Sequence, residues 1–136
     1  MNIQKEIILP VFKRGYHLIT DLILSEMTEM KGNGILTIFI KHTSAGLTVN
    51  ENADDTVRED FETVFNHLIP ENQTRYKHTF EGADDLPAHI KASIIGNSLT
   101  IPVSDGHINL GTWQGVYLCE FRNRGGQRKL VLTFYS

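Results

Sequence analysis

The chain has 136 residues, of which 40% are hydrophobic and 21% charged, the profile of one globular domain with its own core and no room for a second. Its formal net charge of −3 excludes a general basic field for nucleic acid, which needs clustered Lys and Arg, though a local cluster such as Arg122, Arg124, Arg128 and Lys129 could hold one small anion. The single cysteine, Cys119, excludes an internal disulfide and a cysteine-rich zinc site.

In chain order, Ile3 to Leu9 reads as a strand. Residues 16 to 30 read as a helix, because Tyr16, Ile19, Leu22, Ile23, Met27 and Met30 fall at spacings of three and four. Gly32-Asn33-Gly34 stops it. The Ile, Thr and Phe-rich stretch that follows predicts a strand with Leu36, Ile38, Ile40 and His42 in phase, a bend at Gly46, and more sheet over Leu47 to Val49. Asn52 to Asp55 supply capping groups for a helix that buries Val57, Phe61, Val64, Phe65 and Leu68 and ends at Pro70. Residues 71 to 84 form a long polar connection, a length that is functional or disordered in so small a domain. Asp84, Asp85 and Pro87 open a short helix to about Ile95, closed by Gly96-Asn97.

The last forty residues read as sheet. Leu99, Ile101 and Val103 alternate, and Asp105-Gly106 is a turn. Trp113 to Arg122 predicts a strand with Trp113, Tyr117, Cys119 and Phe121 on one face and Gln114, Val116, Leu118, Glu120 and Arg122 on the other. Gly125-Gly126 predicts a hairpin turn into a strand lined by Leu130, Leu132 and Phe134. The expected fold is α+β: a single domain over 1–136, mainly antiparallel sheet in two layers, with two longer helices and one short helix. The apolar run in MNIQKEIILP is too short for a signal peptide, no segment spans a membrane, and a reducing, cytoplasmic setting is expected.

Four clusters can carry chemistry. They are His42-Thr43-Ser44; Asn50-Glu51-Asn52 with Asp54 and Asp55; His78, Glu81, Asp84, Asp85 and His89; and Gly111 to Gly115 with Glu120 and Arg122 downstream. His42, His78 and His89 sit where irregular segments meet regular ones, and imidazole is the commonest nitrogen ligand for zinc. Their spacing matches no metal motif, so a buried or solvated histidine remains the competing reading. The acid pairs precede helices and suit capping, but two pairs, each with a further Glu, exceed what capping needs and suit a divalent cation. Gly111 can open the backbone to an anion or simply permit a bulge. Arg122 suits a phosphate, or a salt bridge with a nearby acid. Ser44 beside His42 forms no triad, since adjacent strand side chains point apart. Cys119 shares the phase of core residues.

HTSAGLTVNEN, EGADDLPAHIKASIIGNSLTIPV and LGTWQGVYLCEFRNRGGQRKLVLT together resemble the YjbQ-like family, often labelled secondary thiamine-phosphate synthase. The resemblance runs from about Ile3 to Thr133, and the LGTWQG-x-Y-L-x-E-x-R string is its most specific part. It implies a small sheet-rich fold assembled as a homotrimer, with a weak or secondary thiamine-phosphate synthase-like activity on a small phosphorylated metabolite. It implies a polar pocket, within or between subunits, built from His42, Ser44, Glu51, Asp54, Asp85 and Gln114 as catalytic candidates. Thr43, Gly111 and Arg122 are candidates for the substrate phosphate, and His42, His78 and His89 for a divalent metal. Joining a pyrimidine diphosphate to a thiazole phosphate releases pyrophosphate, whose charge a cation, Arg and backbone donors would neutralise. Carboxylates suit magnesium and imidazoles suit zinc, so the metal stays open. Metal-bound histidines would make a hydrolytic or lyase reaction equally open. A non-catalytic module that holds an anionic metabolite or metal is the alternative.

Overall fold

The computed structural model describes residues 1–136. It contains eight strands and three helices. These are β1 (Asn2–Ile8), β2 (Gly15–Leu18), α1 (Thr20–Glu26), β3 (Gly34–Ile40), β4 (Ala45–Glu51), α2 (Asp55–Leu68), α3 (Asp85–Ile95), β5 (Ser98–Ser104), β6 (His107–Ile108), β7 (Gln114–Glu120) and β8 (Lys129–Tyr135). Every strand pairing is antiparallel. A five-stranded sheet runs β1-β8-β3-β5-β6 and a three-stranded sheet runs β2-β7-β4. The fold is α+β with two antiparallel sheets, as the alternating patterns imply.

The main core lies between the sheets. Leu36, Ile38 and Ile40 of β3, Leu130, Leu132 and Phe134 of β8, and Val116 and Leu118 of β7 belong to one buried cluster. Their period of two is what a strand with one inward face requires. β7 is buried on both faces, because its other phase, Tyr117 and Cys119, meets a second cluster with Tyr16, Ala88, Ala92 and Phe121. Phe61 and Phe65 of α2 and Ile95 of α3 pack there, so these two helices cover the outer face of the small sheet. No helix is long and apolar enough to cross a membrane.

Four expectations need correction. Residues 16 to 30 are not one helix: β2 occupies 15–18 and α1 only 20–26. Tyr16, His17 and Leu18 gain ladder partners in Cys119, Leu118 and Tyr117 of β7, and that pairing outweighs a helical period that Ile19, Ile23, Met27 and Met30 satisfy by being buried anyway. The two longer helices are therefore α2 and α3. On α2 no residue is fully buried, and Val64 and Leu68 are exposed, because its apolar contact with the second cluster runs through Phe61 and Phe65. Trp113 precedes β7 and is 65% exposed rather than in the core. Gly125-Gly126 is not a hairpin, since β7 and β8 lie in different sheets. The segment crosses between sheets, and it does so over Glu120: a Cβ at Gly125 would stand 2.1 Å from Glu120 Oε1.

Candidate functional site

The opening of α3 brings together the groups that matter. Asp84 holds the N-cap position yet makes no side-chain cap. Its Oδ2 instead accepts Arg122 Nε at 2.8 Å and the Asn123 N–H at 2.9 Å. Burial raises the Asp84 pKa, but these donors outweigh it and hold the carboxyl below its ordinary value. Asp85, one residue on, has a side chain only 1% exposed. Its Oδ1 accepts Arg122 Nη1 at 2.7 Å, and its Oδ2 faces His78 Nε2 at 2.7 Å and His89 Nε2 at 3.3 Å. His89 lies four residues along the same helix, so it shares the face of Asp85. His78 comes from the long polar connection, and its ring centroid lies 5.3 Å from that of His89.

Hydrogen bonding fixes one proton of His89. His89 Nδ1 lies 2.9 Å from the Thr43 carbonyl oxygen, which can only accept, so Nδ1 carries a proton. Nε2 of a neutral His89 then presents a lone pair to a carboxylate oxygen. Two lone pairs at 3.3 Å call for a proton or a cation between them. The backbone anchor on Nδ1 is the support that metal-bound histidines commonly have. One ligand atom from each of His78, Asp85 and His89 lies within 4.8 Å of the other two. Ligands on one tetrahedral zinc stand about 3.3 Å apart, given bonds near 2.0 Å. The His89–Asp85 pair already meets that spacing, and the half-exposed His78, 2.7 Å from Asp85 Oδ2, must move away from that oxygen by about 0.6 Å. Two nitrogens and one oxygen suit zinc or another transition ion better than magnesium.

Arg122 is committed to this cluster. Its Nε, Nη1 and Nη2 donate to Asp84, to Asp85 and to the Glu81 carbonyl, and the Asp84 bond leads the causes that raise its pKa. It orients the acids and has no free edge for a phosphate.

His42 stands apart from the trio. Its Nε2 accepts the Lys129 N–H at 2.8 Å, and burial, then the Arg128 charge, lower its pKa. It shares with His89 a cleft of about 550 Å³, whose other polar walls are Thr43, Ser93 and Asn97. Ser44 is buried and accepts Arg128 Nη2 at 3.0 Å. Arg128 in turn donates to both oxygens of the buried Glu120, at 2.7 and 2.5 Å. Glu120 Oε2 also accepts the Arg122 N–H, so this pair braces the segment that carries Arg122. Sequence reading named Arg128 only within a local basic cluster that could hold a small anion and left it out of the site; it is committed to Glu120 and Ser44 instead, and the available signal was Glu120, an acid in phase with Val116 and Leu118.

Glu51, Asp54, Gln114 and Gly111 gather elsewhere and serve local structure. Glu51 Oε2 accepts the N–H groups of Ala53 and Asp54, and Asp54 caps α2 through Thr56. Gly111 donates its N–H to Gln114 Oε1 at 2.8 Å, and Asn52 clamps the Thr112 and Gln114 carbonyls. A second omission is Lys91, buried on α3, with Nζ 2.6 Å from Asn66 Oδ1. Burial, then the Arg14 charge, lower its pKa.

Residues 5–136 match the family described as UPF0047 protein YjbQ-like. The chain is 48% identical to the UPF0047 protein YjbQ of Escherichia coli O157:H7 over 132 residues, 96% of this chain and 95% of that protein. It is 47% identical to UPF0047 protein MJ1081 of Methanocaldococcus jannaschii over 76% of this chain and 72% of the relative. Among solved structures, it is similar to a YbjQ-like protein of unknown function from Sulfolobus solfataricus P2, with TM-score 0.85, 25% identity, and coverage of 98% and 96% of the two chains. It is also similar to a YjbQ/UPF0047 family protein from Clostridium acetobutylicum, with TM-score 0.80, 33% identity, and coverage of 95% and 97%.

Proposed function

The chain belongs to the YjbQ-like UPF0047 family, and on that footing we propose that His78, Asp85 and His89 form a divalent-cation site serving a small phosphorylated substrate. The observation that carries this reading is the facing of His89 Nε2 and Asp85 Oδ2, with Nδ1 of the ring spent on the Thr43 carbonyl. When bound, a zinc-like ion would supply Lewis acidity toward an oxygen of the substrate. The residues of the chain do the rest. Asp85 and His89 hold fixed positions through Arg122 and Thr43, while His78 sits on the polar connection. The thiamine-phosphate synthase-like transfer is the reaction to assay first, because departure of pyrophosphate needs cationic neutralisation and no protein nucleophile.

One observation favours a second reading, a binding module without turnover: Arg122, the expected phosphate clamp, is engaged by Asp84, Asp85 and Glu81. A ligand would then raise the melting temperature with no product formed. The homotrimer implied by the resemblance finds support in the outward face of the five-stranded sheet, where Ile8, Phe39 and Tyr135 are exposed; sedimentation of the pure protein tests it.

The site itself is tested by zinc content after loading and desalting. One equivalent should stay with the native chain, and none with His78→Ala or His89→Ala. Full retention by both variants sinks the site.

A further inference from the structure

The cleft beside the trio has a chemical bias that a cation site alone does not require. Its walls carry His42, Thr43, His89, Ser93 and Asn97, with small residues between them and not one Asp or Glu. Its volume, about 550 Å³, is within the usual range for small-molecule sites.

His42 shows which way the bias points. The Lys129 N–H aimed at Nε2 can face only a lone pair. The ring is therefore neutral, with its proton on Nδ1. The carboxylate-bearing trio uses His78 and His89, and Nδ1 of His42 has no partner in the chain. The Thr43 hydroxyl and the Asn97 amide are exposed and equally uncommitted. Ser93 Oγ is already spent on the His89 carbonyl. Three free donors thus border a cleft without acids, next to a histidine of the cation site. Lys129, directly behind His42, is exposed and adds positive field.

We infer that this cleft seats the phosphate group of the substrate, with His42 as a fixed neutral donor through Nδ1–H, joined by the Thr43 hydroxyl and the Asn97 amide. The inference rests on the cation-site reading for its neighbour. It differs from it in giving His42 no role as metal ligand and none as base, since Nε2 is occupied by a backbone donor. An anion seated there would lie beside His89, the residue that the cleft shares with the three groups that would hold the cation.

The test is a phosphorus NMR titration of the full-length, zinc-loaded chain with inorganic phosphate, with zinc content measured in parallel. Asn97→Ala and Thr43→Val change exposed side chains and should keep the fold while weakening phosphate binding severalfold. His42→Phe should keep one equivalent of zinc and weaken phosphate roughly tenfold or more, the cost of a lost hydrogen bond to a charged ligand. His42→Asn, which can restore an amide donor near Nδ1, should recover part of that loss. Unchanged phosphate affinity in Asn97→Ala and Thr43→Val overturns the inference even where His42→Phe fails to fold. Loss of zinc in a folded His42→Phe overturns it too, because His42 would then be a ligand. The cation site is judged separately: His78→Ala should lose zinc, and its metal-free chain should still show the Asn97-dependent phosphate binding.

Discussion

Replacing Asp85 by Asn keeps the shape of the side chain and removes its charge, so it separates the two jobs given to this carboxylate. In the metal-free protein the amide oxygen can still accept Arg122 Nη1, now 2.7 Å away, but a charge-assisted bond becomes an ordinary one, a loss of about 1 kcal/mol. The first-turn acid of α3 also loses its interaction with the helix dipole, about 0.5 kcal/mol more. Arg122 retains Asp84 and the Glu81 carbonyl, which keeps the loss below the figure for a wholly stranded buried charge. The sum, about 1.5 kcal/mol, corresponds to a fall in Tm of roughly 5 to 7 °C for a chain of this size. Zinc at about a hundred times its Kd would raise native stability by about 2.7 kcal/mol, or roughly 10 °C, and Asp85→Asn should forfeit most of that rise. Calorimetry of both proteins with and without zinc gives all four numbers. A variant whose zinc-induced rise equals that of the native chain refutes the role of Asp85 as ligand. A metal-free variant as stable as the native chain refutes its role in holding Arg122.

Two further outcomes follow from the same structure. Gly125→Ala would put a Cβ 2.1 Å from Glu120 Oε1; since that carboxylate is locked by Arg128, the segment must shift, and denaturant unfolding should show a loss of about 1 to 3 kcal/mol. A loss under a few tenths would show that Glu120 is free to move. Lys91 has a folded-state pKa below its ordinary 10.5, so its charge weakens the fold below that depressed value, and the penalty fades as pH rises through it toward 10.5. Lys91→Met should therefore match or exceed the native chain in stability near pH 7, with the gap between them shifting in the native chain's favour as pH rises toward 10.5; a large loss at neutral pH would show that the Asn66 bond outweighs burial.

Strands that bury one phase were legible in the sequence. β3 and β8 alternate cleanly, and both phases of β7 are apolar because it is sandwiched between the inter-sheet core and the helices. The stretch from Tyr16 to Met30 misleads because its helical spacing is real, while the partner that makes residues 15–18 a strand, β7, lies a hundred residues downstream. Trp113 misleads for a related reason: continuing the strand pattern puts it in the core, but Asn52 clamps the turn there and leaves the ring outside. In the site, the spacing of Asp85 and His89 on one helix was legible, as was the unusual polar connection carrying His78. That Arg122 would be spent on Asp84 and Asp85, and His42 on the Lys129 N–H, depends on the crossing between sheets over Glu120. No local pattern encodes that crossing, and the two glycines that permit it also look like a hairpin turn.

The most direct measurement is an anomalous-difference map, at the zinc edge, of crystals grown from the zinc-loaded protein. A single strong peak is expected about 2.0 to 2.2 Å from His78 Nε2, His89 Nε2 and a carboxylate oxygen of Asp85, with His42 outside that shell and still accepting from the Lys129 N–H. A map with no peak among those three groups, or with the ion on His42, contradicts it.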